Sequence, residues 1–511
     1  MNRPSLTADA MDLREAGRGF LWITGAKIWF LVTATFSSLA FPRLFGDPVL
    51  YGQYRVVSGV LNVVTMVIIG GTVQAVSRLT SEVGAGPAAV RKVALRVVAV
   101  LFVPVGLAGL LGAGWLARGL LRDEALAGPI RAASGVVIAY AFYAVLVGVL
   151  NGRRFFARQA VLDMTFSTLK TASMVAVAFW TGSVTGTFGA FAASAAAVLG
   201  LALWVGRDPG PPGGNRVPTA RDLLHYLVPL GGYALVLNLL LQADVIALKA
   251  FLGAVAEGPE GVGRASAVAG IYGAARNVSL LPYQAVISLT FVVFPLVSRA
   301  ASAGRTEAAG RTGSGALRLA SVLSFGAVAL LGAAPGPLLG LLFGPAFRDG
   351  ADTLPWLLGG GALMAVTSVG NAVLASSGRP SAPLWGGLAA LVVLALGLGA
   401  GLPWSGIDPA RVAAGSVVAA ALCGSVVTGV LMRRAFGTLP WTRTFGVSAL
   451  GALGSILAAR IVPLDSPAVI TGLSVLAFGA ILLGGRGLDP EDGRLLWRAL
   501  RRRTPGGTPE A

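Results

Sequence analysis

The sequence predicts an all-α polytopic membrane protein of about fourteen transmembrane helices in two halves, and three observations lead there. Hydrophobic residues make up 55% of the chain and charged residues 12%, about half the charged share of a soluble domain. The mean hydropathy is +0.77. Apolar runs near the twenty residues that a bilayer crossing needs recur along the whole chain. One stretch is also echoed. Gly52-x-Tyr54 opens a run that closes on Val76-Ser77-Arg78, and Gly270-x-Tyr272 opens one that closes on Val297-Ser298-Arg299. Tyrosine to arginine is about 24 residues in the first copy and about 27 in the second, each close to one crossing. The second half therefore starts near His225.

Taken in order, six apolar runs fall near 17–41, 53–76, 93–116, 131–150, 159–181 and 185–205. A Gly/Pro-rich linker from Arg207 follows. Eight more runs lie near 223–252, 268–297, 316–343, 353–375, 383–403, 410–432, 443–462 and 467–484. Glycine, at 71 of 511 residues, is about twice its usual share. That suits close helix packing through small-residue faces, and equally a coding bias toward Gly and Ala. Residues 253–267, GAVAEGPEGVGRASA, form the longest external loop and read as a solvated linker carrying Glu257 and Glu260.

The formal charge of +18 would point to nucleic acid in a soluble chain. Here its distribution sets orientation. With the N-terminus inside, about 27 of the 40 Lys/Arg fall in cytoplasmic segments and about 10 outside. Both termini are thus expected in the cytoplasm, and the basic tail Arg498/Arg501/Arg502/Arg503 reads as an anchor to anionic lipid. A mixed polar stretch precedes the first run, and Lys27 sits where a signal peptide would be apolar, so no cleavable leader is expected. Cys423 is the only cysteine and His225 the only histidine, which excludes a disulfide framework and a Cys/His metal cage. No P-loop occurs and no loop has room for a nucleotide-binding domain, so an ATP-driven pump in one chain is excluded. Neither catalysis nor a cofactor is expected.

Charges inside apolar spans are costly and mark function by default. Counting 1.5 Å per residue, Lys27 lies about 15 Å and Lys170 about 16 Å from the cytoplasmic starts of their helices. Arg276 lies about 12 Å and Asp244 about 13 Å from the outer ends of theirs. These depths differ so little that an Asp244/Arg276 pair is possible. Helical spacing adds polar stripes: Thr24, Lys27 and Ser38; Asp163, Ser167 and Lys170; Tyr272, Arg276, Ser279 and Tyr283. Three cations and one anion near midplane give a net-positive lumen suited to an anionic headgroup, for which Arg offers forked donors and Lys a point charge. Tyr272 and Tyr283 suit stacking on sugar rings. A plainer reading stays open, in which these are buried packing partners, Lys27 snorkels, and Asp163 and Arg55 lie near enough to an interface to be solvated.

The run LAFPRLFGDPVLYGQY from Leu39, the segment VGVLNGRRFFARQAVLD from Val147, the run from His225 to Gly253 and the AGIYGAARN opening from Ala269 resemble the polysaccharide flippases. These belong to the multidrug, oligosaccharidyl-lipid and polysaccharide exporter superfamily. The resemblance covers essentially the whole chain. It implies two six-helix lobes with a pseudo-twofold repeat around a central cavity, here residues 1–206 and 223–432. A cytoplasmic linker (207–222), two additional helices (433–485) and a basic tail (486–511) complete the chain. It also implies translocation of undecaprenyl-diphosphate-linked oligosaccharide to the outer leaflet of the cytoplasmic (inner) membrane. Lys27 and Arg276 match by position the cationic cavity residues on the first and eighth helices of such flippases. Lys170 rests on depth alone, and Arg55, Tyr272 and Tyr283 complete the expected substrate-binding set. The implied partners are the lipid-linked glycan, membrane lipids, and polysaccharide polymerase and export machinery, with no nucleic acid.

The mechanism expected is alternating access by rocking of the lobes, driven by membrane potential or an ion gradient, with Asp244 as ion-coupling residue because a titrating carboxylate changes the lumen charge. Two other classes stay open. A multidrug or other small-molecule exporter of the same superfamily would bind cations and typically has an acidic residue early in helix 1, where this chain has Lys27. A non-transporting scaffold for envelope assembly is allowed too. A major-facilitator carrier is disfavoured because SRLTSEVGAGPAAVRK, after the second run, lacks the G-x-x-x-D-R-x-G-R-R pattern.

Overall fold

The computed structural model of the chain describes residues 6–82, 86–207, 218–379, 381–437, 442–461 and 466–487, and every regular element among them is helical. The first half holds α1 (Leu6–Phe45), α2 (Pro48–Ser81), α3 (Pro87–Leu111), the short α4 (Ala113–Trp115), α5 (Ala127–Gly152), α6 (Phe156–Thr181) and α7 (Val184–Val205). The second holds α8 (Ala220–Ala254), α9 (Gly258–Ser279), α10 (Leu281–Ser302), α11 (Thr306–Gly332), α12 (Pro335–Phe343), α13 (Leu354–Ser376), α14 (Ala382–Trp404), α15 (Pro409–Phe436), α16 (Thr442–Ile461) and α17 (Pro467–Gly484). Among the described residues, thirteen segments are long and apolar enough to cross a bilayer. Helix α6 matches them in length at 26 residues and is less apolar, because Arg158, Asp163 and Lys170 lie on it. The polytopic all-α class is as the sequence predicts, with thirteen such segments among the described residues against about fourteen expected.

Local chemistry sets the ends. Asp47 caps α2 by accepting a hydrogen bond from the Val49 N–H at 2.8 Å, and Pro48 fills the first turn, where no N–H is needed. Thr219 and Asp222 cap α8 reciprocally. Three expectations change. The run expected to span 316–343 ends at Gly332, and Pro335 starts the separate α12. The expected external loop at 253–267 shrinks to Val255–Glu257: α9 begins at Gly258, although Glu257 and Glu260 are indeed exposed. The crossing expected over 268–297 is two helices, broken at Leu280. Pro282 is the cause, since it lacks an N–H and disfavours helical backbone just before it.

The chain forms two compact units. The first comprises Met1–Ala274, Leu342–Phe347 and Leu398–Ala413. Within it α2 packs on α5 and α8, α1 on α6, and α7 on both α5 and α6. Helix α5 is apolar all round and the most enclosed, as expected of a central helix. Its Gly148 and Gly152 let α2 approach closely: a Cβ at Gly148 would meet Val76 Cβ at 2.8 Å, and one at Gly152 would meet the Ser77 carbonyl at 2.6 Å. The echoed glycines, Gly52 and Gly270, face each other where α2 crosses α9. A Cβ on Gly270 would lie 2.9 Å from Gly52 N and 3.1 Å from Gly52 Cα, and one on Gly52 would run into the Ser266 carbonyl.

The second unit comprises Ala275–Leu341, Arg348–Gly397 and Ala414–Ala511. Val293, Val297, Leu317, Val366, Val369 and Val373 form its core between α10, α11 and α13. The last two spans dock on α11: Phe445 meets Phe325 edge to face at 5.5 Å, and Ser474 Oγ donates to the Ala329 carbonyl at 2.8 Å.

Candidate functional site

A polar seam joins α1 and α6 inside the first unit. Trp29 Nε1 donates to Thr168 Oγ1 at 2.9 Å, Thr33 and Ser167 share a hydrogen bond, and Ser37 meets Thr171 at 3.4 Å. From Gly19 against Phe156 to Ser37 against Thr171 the contacts advance in the same direction along both helices, so α1 and α6 run parallel. Lys27 and Lys170 both belong to this seam. Lys27 is exposed and lies within electrostatic reach of Asp163. The Lys170 side chain leans back toward the start of α6, as Cβ direction in a helix dictates. Its Nζ sits 5.2 Å from the Phe30 ring centroid and 5.4 Å from that of Phe191, within cation–π range. The Asp163/Ser167/Lys170 stripe is thus the face that α6 turns toward α1.

Asp163 is the end of a chain of side-chain hydrogen bonds that was not foreseen. Tyr143 Oη donates to Asp163 Oδ1 at 2.7 Å and Gln159 Nε2 to Oδ2 at 3.5 Å. Asn151 Nδ2 donates to Gln159 Oε1 at 2.7 Å, and Ser77 Oγ to Asn151 Oδ1 at 2.8 Å. The chain links α2, α5 and α6. Asp163 is half-buried, and its carboxylate is held by these named donors.

Arg55 is also not solvated. It is 5% exposed and donates from Nη1 to Gln242 Oε1 at 2.8 Å. Gly273 makes room for it, since a Cβ there would lie 2.6 Å from Arg55 Cγ. Asp244 is fully buried on α8 and accepts at Oδ2 from the Tyr272 hydroxyl at 2.9 Å. Tyr272, expected to stack on sugars, is itself 1% exposed and engaged by that bond. In the second unit, Arg276 is 0% exposed in the last turn of α9, where the helix dipole favours a cation. Tyr283 follows the Leu280 break and is half-buried, with a hydrogen bond to Ser368. The structure brings Lys27, Asp163 and Lys170 to one seam, pairs Asp244 with Tyr272, and sets Arg276 and Tyr283 on either side of a helix break.

Lys27 and Lys170 bring positive charge to the seam, its hydroxyls both donate and accept, and the Asp163 carboxylate is bonded by donors of its own. Among the described residues no cluster of His, Cys, Asp and Glu is suited to a metal.

The family model described as polysaccharide biosynthesis protein matches residues 28–301. No curated protein matches the chain by sequence. Solved structures that share its fold include the following three. The lipid II flippase MurJ in an inward closed conformation has a TM-score of 0.67 at 14% identity, covering 90% of this chain and 98% of that one. A multidrug resistance MATE family transporter of the MOP superfamily, in an inward-facing conformation, has a TM-score of 0.60 at 14% identity over 80% of this chain and 95% of the other. A MOP superfamily transporter from Pyrococcus furiosus, described as having a binding pocket of reversed polarity, gives 0.57 at 16% identity over 82% and 96%. Because the family model spans more than half of it, the chain belongs to the polysaccharide biosynthesis protein family, on the fold of the MOP-superfamily transporters and flippases.

Proposed function

We propose that the protein is a flippase that moves an undecaprenyl-diphosphate-linked oligosaccharide from the inner to the outer leaflet of the cytoplasmic membrane. The observation that carries this reading is the cationic, hydroxyl-lined seam of Lys27 and Lys170 between α1 and α6, set in helices that are otherwise apolar. The positive charge of two lysines suits a diphosphate. The family and the likeness to a lipid II flippase support it. So does the broken helix at Leu280, because discontinuous spans in transporters present helix ends to a substrate. In this reading residues 1–206 and 223–432 are two six-helix lobes that rock about a central cavity. Lys27 and Lys170 hold the diphosphate, and the polyprenyl tail stays in lipid.

The basic-residue bias supports a cytoplasmic position for both termini. Reporter fusions after Arg158 and Arg434 are expected to read cytoplasmic, and fusions near Gly261 and Asp408 external. Opposite signals at two of these sites would reverse the orientation. The substrate is tested by deleting the gene and analysing membrane lipids by mass. Accumulation of a lipid-linked oligosaccharide, cleared by the intact gene, is expected; an unchanged lipid profile would count against the flippase.

The multidrug-exporter alternative draws on the MATE likeness. It asks for an acid where Lys27 stands, and predicts export of hydrophobic cations instead.

A further inference from the structure

Resting on the alternating-access reading above, we propose that Asp123, Lys249 and Ser266 form a latch that closes the outer end of the transport path and parts in each cycle. The Lys249 ammonium lies 3.0 Å from Asp123 Oδ2, with the two side chains 0% and 4% exposed. Ser266 Oγ donates to the same carboxylate oxygen at 2.8 Å. Lys249 Nζ also donates to the Val262 carbonyl at 3.4 Å, and Asp123 Oδ1 accepts from the Ala125 N–H at 3.1 Å. The three side chains come from three places: the connection between α4 and α5, the end of α8, and α9. The first lies in the first half of the sequence and the other two in the second.

All three lie at the end of the spans that the basic-residue bias places outside. Other close contacts lie at the same end of the first unit. Gly253 packs on the Arg122 side chain and the Leu121 carbonyl, so that a Cβ there would meet them at 2.9 and 3.0 Å. The Gly52–Gly270 crossing touches the backbone of Ser266 itself. Tyr51 packs edge to face on Phe347 at 5.8 Å.

The choice of an ion pair explains why this is a latch and not a staple. In a core that never opens, an apolar pair of similar volume holds at least as well, because the desolvation of two charges offsets much of their attraction. An ion pair differs when it parts into water. Both charges recover their hydration, so opening costs less than separating charges in a dry core, and the closed and open states stay close in free energy. A few hydrogen bonds then decide which of them is populated.

The test reads access from outside and does not use a transported substrate. In the full-length protein with Cys423→Ala, a reporter cysteine replaces Ala265, which is 4% exposed and adjacent to Ser266. A membrane-impermeant maleimide is added to the outer face of reconstituted vesicles. The parent is expected to label slowly. The neutral pair Asp123→Asn/Lys249→Gln is expected to label at least tenfold faster, and the swapped pair Asp123→Lys/Lys249→Asp to return toward the parent rate. Equal rates in the parent and the neutral pair overturn the latch. Should the neutral pair fail to accumulate, Lys249→Arg carries the test: it keeps the charge, alters the geometry, and is expected to label severalfold faster, while a parent-like rate again overturns the proposal. Faster labelling in a protein that moves no polyprenyl-diphosphate lipid would keep the latch and remove the flippase reading.

Discussion

Lys27→Gln is expected to lower export of the lipid-linked glycan by tenfold or more while membrane abundance stays near that of the parent. Lys27 is exposed on α1 within an apolar span, so its loss removes no packing; what it removes is charge facing the seam. Loss of one charge-assisted contact to a phosphate is worth about 1.5–3 kcal/mol, roughly ten- to a hundredfold. Lys170→Gln is expected to act in the same direction, with some loss of stability because its ammonium rests between Phe30 and Phe191. Arg276 is different: at 0% exposure, its replacement by Gln is expected to lower abundance as well as export, so that variant alone does not report on substrate. Complementation of the gene deletion, scored alongside membrane abundance, separates these cases. Full export by Lys27→Gln removes the cationic seam from the mechanism.

Gly52→Val and Gly270→Val are expected to prevent accumulation of folded protein. At this crossing the obstacle to a side chain is backbone on the opposite helix, which cannot rotate away as a side-chain tip can. Overpacking a core usually costs about 1–3 kcal/mol; here the helices must separate, and the cost is expected at or above the top of that range. Gly232→Ala is the control. Nothing lies within 4 Å of a Cβ at that position on α8, and alanine is the better helix former by about 1 kcal/mol. Thermal stability in detergent is expected to be unchanged or higher for Gly232→Ala and unmeasurable for the two valine variants. Parent-like melting of Gly52→Val would contradict the crossing.

The fold was legible because a bilayer imposes a coarse code: one run of about twenty apolar residues per crossing. The echo of Gly52-x-Tyr54 in Gly270-x-Tyr272 also carried real information, since the two glycines meet, although repetition alone does not say that the copies touch. The break at Leu280 had a local signal in Pro282 that was hidden by the apolar run around it. The polar stripe Asp163/Ser167/Lys170 was readable from spacing, whereas its partners on α1 were not. Long-range pairs left the least trace. Lys249, near the end of a span, reads most simply as snorkelling, and Asp123 as a loop acid; only folding brings them together across 126 positions of sequence. Arg55 misled in the same way: its place near the start of a run suggests solvent, yet Gln242 and Gly273 enclose it.

The central claim, that a cationic path carries a lipid-linked anion, is tested most directly in vesicles containing only the purified protein and a labelled polyprenyl-diphosphate oligosaccharide. The fraction of label reachable by an impermeant quencher or glycosidase reports transbilayer movement. The account predicts movement well above protein-free vesicles and loss of that movement with Lys27→Gln. Vesicles in which the lipid stays in its leaflet while a hydrophobic cation is transported would contradict it.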